Sequence, residues 1–354
     1  MHIERRTQHA GLTEAHQRPA AFRWVAIFSM LALLVAGALS ACGQPTSAGG
    51  KPLRHITLGL TYVPNVQFAP FYVAKQLGYY KDAGLDVTLR HHTFTEDEFS
   101  ALVGGKEDAI FASGDEMLQA RSKGVPIVYV AQVFTKYPVT LIVPANSSIQ
   151  TAADLRGHSI GIPGKYGSSY IGLLALLKNA GLRESDVHIQ PIGFQQVPTL
   201  LAHRVDAVMG YINGDAVAFQ QAHFPIRTLS IGDGQPLISN GLGALESELQ
   251  AHPNDIKALV QATLRGLQYT LAHPTEAFNI SKNGNFVPGL ADPKTAATQT
   301  AVLQATLPLW QQGAKPGYND PAAWQSMASF LQAQGQLTGA VDATKAVSND
   351  YLPA

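Results

Sequence analysis

The sequence predicts an α/β protein built as two like lobes, joined by a two-segment hinge with a ligand cleft between them. Three observations carry that expectation. From Leu53 onward, short apolar and β-branched runs alternate with helical patterns, which implies parallel sheets covered by helices. After Glu246 the strand patterns stop and long helical patterns complete the body. A faint internal echo links the stretches in between. Leu102 to Phe111, then Ser113-Gly114-Asp115, is mirrored by Leu200 to Met209, then Tyr211 and Gly214-Asp215. Each copy reads as a helix end, a tight turn with a charged tip, a strand beginning Asp-Ala, and a Gly-Asp helix start.

Taken in order, the first stretch stands apart from the fold. Arg5, Arg6, Arg18 and Arg23 precede an uncharged apolar run from Trp24 to Leu39, which ends in Leu39-Ser40-Ala41-Cys42. A basic n-region, an apolar h-region and small residues before a cysteine mark residues 1–41 as a lipoprotein signal peptide. Cys42 is then the lipidated first residue of the mature chain, on the outer face of the cytoplasmic membrane. It is the one cysteine of the sequence, which rules out a disulfide within the chain or a multi-thiolate metal site. Residues 42–53, rich in Ser, Gly and Pro, read as a flexible tether. The full chain carries 25 basic and 25 acidic residues, and loss of the leader leaves it slightly acidic. No basic patch points to nucleic acid.

Strand patterns follow at Ile56–Thr61, Val87–Arg90, Ala109–Ala112, Ile127–Val133, Val139–Val143, Ser159–Ile162, Val187–Gln190, Ala207–Gly210, Arg227–Ser230 and Gly241–Ala244. Helical patterns lie at Ala69–Leu77, Glu96–Val103, Asp115–Lys123, Ser169–Asn179, Gln195–His203 and Asp215–His223. Longer ones follow at Asp255–His273, Thr275–Lys282, Pro293–Leu307 and Pro321–Gln334. Crossings between lobes are expected at Lys136–Val143 and near Ile231–Pro236, where Gly232, Gly234 and Pro236 break the pattern. One lobe then takes residues 54–138 and 235–354, the other 139–234.

Ligands of open α/β sheets sit beyond the carboxyl ends of the strands, so the residues there are the candidates. Tyr62, Asn65 and Phe68 follow the first strand, where rings can stack on a flat heterocycle and an amide can offer a donor and an acceptor. Ser113 and Asp115 end the third strand. In the other lobe Gly164-Lys165-Tyr166-Gly167-Ser168-Ser169 joins strand to helix, so Tyr166, Ser168 and Ser169 converge there, with either serine able to cap the helix. Tyr211, Asn213 and Asp215 close the set, and Tyr137 beside the first crossing serves hinge or cleft. Core packing is the other reading for Phe68 and the preferred one for Phe71, which lies inside the helix, and Asp115 and Asp215 read equally as helix caps. An anionic ligand calls for cations at the strand ends, and only Lys136 and Lys165 are placed for that. A planar neutral ring fits the aromatic and amide supply better.

Tyr62-Val63-Pro64-Asn65-Val66-Gln67-Phe68-Ala69-Pro70-Phe71-Tyr72, with Gly78-Tyr79-Tyr80, Gly84-Leu85-Asp86-Val87, Ala112-Ser113-Gly114, Asp154-Leu155-Arg156-Gly157 and Val205-Asp206-Ala207-Val208, resembles the periplasmic solute-binding proteins of the sulfonate, nitrate and thiamine-precursor group. The likeness covers about residues 54–280, and the first run with Gly167-Ser168-Ser169-Tyr170 is most similar to the riboflavin-binding branch, the pyrimidine-binding branch coming next. The resemblance implies a type II periplasmic-binding-protein-like fold. It also implies the substrate-binding lipoprotein of an ATP-driven importer, working as a monomer with a permease and an ATPase, without cofactor or metal. Riboflavin or a related flat vitamin is the expected ligand; a thiamine pyrimidine precursor or an organosulfonate or nitrate-type anion is the alternative.

An enzyme or a sensor domain remains as a further class. The pyrimidine synthases of the same superfamily carry a cysteine-rich stretch that this sequence lacks. No nucleophile-elbow, phosphate-loop or His-Glu-x-x-His pattern appears. His91, His92, Glu96, Asp97 and Glu98 match no recognised metal spacing and read as a polar loop with an acidic helix start.

Overall fold

The computed structural model describes residues 52–93, 96–231 and 237–353. The expected leader, Cys42, nearly all of the tether and the heart of the second crossing lie outside the described residues. The strands are β1 (Arg54–Leu60), β2 (Leu85–His91), β3 (Ala109–Ser113), β4 (Ile127–Gln132), β5 (Val139–Pro144), β6 (Ser159–Ile162), β7 (His188–Pro191), β8 (Ala207–Tyr211), β9 (Ile226–Ser230) and β10 (Asn240–Leu245). Helices of six residues or more are α1 (Ala69–Gln76), α2 (Gly114–Ser122), α3 (Gly167–Asn179), α4 (Gln196–Leu201), α5 (Asp215–Gln221), α6 (Glu246–Ala251), α7 (Pro253–Ala272), α8 (Pro274–Asn283), α9 (Pro293–Thr306) and α10 (Pro321–Ala333).

Two five-stranded sheets result, in the orders β2-β1-β3-β10-β4 and β7-β6-β8-β5-β9. They share one plan. In the first, β1 lies parallel to β2 and β3, while β10 runs antiparallel to β3 and β4. In the second, β6 lies parallel to β7 and β8, while β5 runs antiparallel to β8 and β9. The expectation of parallel sheets is therefore corrected to mixed ones. The chain passes from β4 of the first sheet to β5 of the second through a short segment with no helix in it. The antiparallel strand of each sheet is thus the one entered by crossing from the other sheet.

The helical pattern expected over Glu96–Val103 shrinks to Ser100–Val103. Asp97 explains the delay: its side chain accepts from the Phe99 amide at 3.3 Å and its carbonyl from the Ser100 hydroxyl at 3.1 Å, an alternative to helix for the residues before Ser100. Helix α6 was not expected.

Strands β3 and β4 are buried almost throughout, as their unbroken apolar runs require of strands covered on both faces. Helix α7 shields one side of the first sheet and crosses α1 closely at Gly266, where a Cβ would stand 2.2 Å from the Pro70 carbonyl oxygen. Glycine is unfavourable in a helix interior, and here close backbone approach is what requires it. Phe71, fully buried and 5.0 Å from the Phe111 ring, belongs to this core.

Candidate ligand-binding site

A cavity of about 780 Å³ opens where the carboxyl ends of β1 and β3 face the joints that follow β6, β7 and β8. Its size suits a small organic ligand. Nine of the twelve residues expected at a cleft line it: Tyr62, Asn65, Phe68, Tyr166, Ser168, Ser169, Tyr211, Asn213 and Asp215. Ser113, Asp115 and Tyr137 fall outside its lining and form a hydrogen-bonded cluster instead.

The first wall is built by the turn after β1. Asn65, in the turn after the strand, caps the 3-10 turn Val66–Phe68, its side-chain oxygen accepting from the Gln67 amide at 3.0 Å. The expected acceptor at a ring edge is thus already engaged by the backbone. Phe68 is only 2% exposed and meets His91 and Phe111 edge-on, so it backs the wall rather than presenting a face. Tyr62 is 41% exposed and does present one.

The opposite wall is the joint from β6 to α3. Tyr166 is the N-cap of α3, and Gly164 makes room for its ring, since a Cβ there would come within 2.2 Å of a ring carbon. No side chain caps this helix, contrary to the role expected of the serines. Ser168 and Ser169 lie inside its first turn. The Ser168 amide donates to Glu116 at 3.3 Å and its hydroxyl to Asp115 at 3.3 Å, so α3 opens against carboxylates from the other sheet's helix α2. Tyr166 is 59% exposed, and Phe194, from the loop after β7, is 54% exposed. Phe194 was not singled out from the sequence, although it follows a strand end as Tyr62 does.

The joint after β8 supplies Tyr211, Asn213 and Asp215. Asp215 accepts from the Tyr211 amide at 2.8 Å, an ordinary turn-closing contact, and burial raises its pKa. Asn213 donates to Thr306 of α9 at 3.1 Å, while Gln299 of the same helix accepts from the Val66 amide at 3.1 Å. Helix α9 therefore touches both halves, and its Thr298, Gln299 and Val302 form a wall that sequence reading missed. Nothing in its periodicity separates a helix beside a cleft from one on the outer body.

Charge on the lining is one-sided. Glu96, Asp97, Glu98, Glu116 and Asp215 contribute to it, and no lysine or arginine does among the described residues. Lys165 pairs with Glu184 at 2.6 Å, and Lys136 is exposed outside the lining. Glu96 is matched by Arg90, which also reaches the buried Glu107 at 2.6 Å. Glu98 and Glu116 interact with each other and have no basic partner among the described ion pairs. Burial, reinforced by Asp115, pushes Glu98 up to about 7; burial, Glu98 and Asp115 hold Glu116 well above the usual carboxylate range. The described residues contain no group of three or more His, Cys, Asp or Glu side chains arranged to hold a metal ion.

Comparison with known proteins fits this geometry. The family model described as NMT1/THI5 like matches residues 65–277. The chain is 33% identical over 342 residues to the riboflavin-binding protein RibY of Chloroflexus aurantiacus, covering 91% of this chain and 97% of that one. It is 27% identical over 336 residues to a formylaminopyrimidine-binding protein of Halalkalibacterium halodurans, covering 91% and 98%. Among solved structures it is similar to the periplasmic aliphatic sulphonate binding protein SsuA of Escherichia coli, with a TM-score of 0.68, 19% identity and coverage of 84% and 92%.

Proposed function

Because the chain belongs to the NMT1/THI5-like family, we propose that it is the solute-binding component of an ATP-driven importer and that its cleft captures riboflavin. The observation that carries this reading is the pairing of exposed aromatic faces in both walls, Tyr62 on one side and Tyr166 and Phe194 on the other, around a lining with no lysine or arginine among the described residues. Such walls suit a flat uncharged ring system with polar hydroxyls. A sulfonate or nitrate has no cation to meet there, so the likeness to SsuA supports the fold and not the ligand. The aminopyrimidine reading keeps one supporting observation, the acidic lining, which suits a ring rich in N–H donors. Capture without turnover is part of the proposal, since no arrangement of nucleophile and base was found in the sequence.

Titration of the purified full chain with riboflavin, followed by quenching of flavin fluorescence, tests the ligand. Micromolar or tighter binding is expected, with no competition from an alkanesulfonate. Tight uptake of formylaminopyrimidine without flavin binding would reject riboflavin as the ligand. Delivery to a permease from a lipid anchor at Cys42 completes the proposal. Cys42→Ala should move the protein from the membrane to the soluble fraction, and unchanged retention without detergent would remove the anchor from it.

A further inference from the structure

We propose that Glu98 and Glu116 set the specificity of the cleft, accepting N–H or O–H donors of an uncharged flavin and turning away its anionic phosphate ester. The inference rests on the riboflavin reading and adds to it a chemical boundary on what enters. Three features of the site point the same way.

The two carboxyl groups come from different parts of the first half. Glu98 lies in the loop before Ser100–Val103, and Glu116 in the first turn of α2, yet both face one cavity and interact with each other and with Asp115. Glu116 also receives the Ser168 amide at 3.3 Å, which fixes it at the seam between the walls. The remaining acids of the lining are differently placed: Glu96 is matched by Arg90, Asp97 by the Phe99 amide and Asp215 by the Tyr211 amide. Glu98 and Glu116, which interact with each other and have no basic partner among the described ion pairs, are the pair offered to a ligand's own polar groups.

His92 stands in the same wall. It is 3% exposed, its Nε2 bonds to Glu107 at 2.7 Å, and its Nδ1 has no hydrogen-bond partner among the described residues. A buried polar atom without a partner beside a cavity is costly unless something else supplies the bond, and a ligand hydroxyl suits it. Hydrogen-bond capacity thus converges on the cavity that the exposed rings also line. Two acids sharing a buried site keep a proton between them, so the pair offers a donor as well as acceptors, and a phosphate placed there would meet its remaining charge with no lysine or arginine among the described lining residues to offset it. Like charges brought together away from bulk water are strongly disfavoured, and specificity is often built from such repulsion. A free flavin carries the same ring and the same ribityl donors without that charge.

The test uses the full chain, riboflavin and riboflavin 5′-phosphate, with wild type, Glu98→Gln, Glu116→Gln and the double variant. Wild type is expected to prefer riboflavin by about tenfold or more near neutral pH, the preference widening as pH rises through about 7 and Glu98 loses its proton. The double variant should narrow that preference at least about tenfold, mainly by gaining affinity for the phosphate ester. Asp86→Asn removes the same charge on the exposed start of β2 and should leave the preference unchanged, which separates a local effect from net charge. Should the double variant fail to fold, the single variants decide, each narrowing the preference in part. A preference that stays within twofold of wild type in every folded Gln variant overturns the proposal while leaving riboflavin capture intact. Wild type that binds neither flavin overturns the functional reading itself.

Discussion

Replacing Tyr62 and Tyr166 together with alanine should lower riboflavin affinity by at least about 100-fold, each alone costing roughly 10-fold or more, because stacking of a flat ring on an aromatic side chain is worth about 1–3 kcal/mol. The two rings belong to opposite walls and are 41% and 59% exposed, so little packing is lost with them. Folded stability should therefore stay within about 0.5 kcal/mol of wild type, as for most exposed positions. Phenylalanine at both sites keeps the faces and removes only the hydroxyls, and should bind within a few-fold of wild type. Fluorescence titrations paired with thermal melts give both quantities. Alanine variants that bind flavin as wild type does would take these rings out of the site and remove the main support for a stacked ligand.

Much of this architecture was legible in the chain because strand and helix periods alternate cleanly. All ten expected strands overlap observed ones, Ser159–Ile162 at identical limits. That run is short, apolar and bounded by polar residues before it and a proline after it, which leaves little freedom at either end. What escaped was long-range. The antiparallel sense of β5 and β10 depends on a crossing between sheets, and no local pattern encodes direction. Helix α9 reads as an ordinary amphipathic helix, and only its contacts to Val66 and Asn213 make it a wall.

The acids show the same division. Glu116, in the first turn of a helix, and Glu98, in an acidic run, both satisfy a local explanation through the helix dipole, so their convergence on one cavity left no trace in the sequence. For Asp115 the sequence supports cap and ligand contact equally. The structure gives it a third position, below the cavity, where it gathers donors from both halves.

That position makes Asp115 the side chain whose loss should cost the fold most among the candidate residues. It is fully buried and accepts from Ser113, from the Tyr137 hydroxyl at 2.5 Å, from the Glu116 amide at 3.0 Å and from the Ser168 hydroxyl at 3.3 Å. Tyr137, on the link between β4 and β5, also lies 3.1 Å from the Ser168 carbonyl oxygen, so the cluster ties the starts of α2 and α3 to the crossing itself. Asp115→Ala leaves several buried donors without an acceptor and should destabilise by about 2–4 kcal/mol, whereas Tyr137→Phe, which removes one donor, should cost about 1–2 kcal/mol. The double variant should cost less than the sum, since the two single changes break the same bond. Burial raises the Asp115 pKa above its unfolded value. Its contribution is then fully present below about pH 3.9 and declines as pH rises through the folded value, so the alanine variant should lose more relative to wild type at pH 4 than at pH 8. Urea denaturation of the four proteins at both pH values reads all of this. Strict additivity of the two changes, or an Asp115→Ala cost under about 0.5 kcal/mol, would show that the cluster does not hold the halves together.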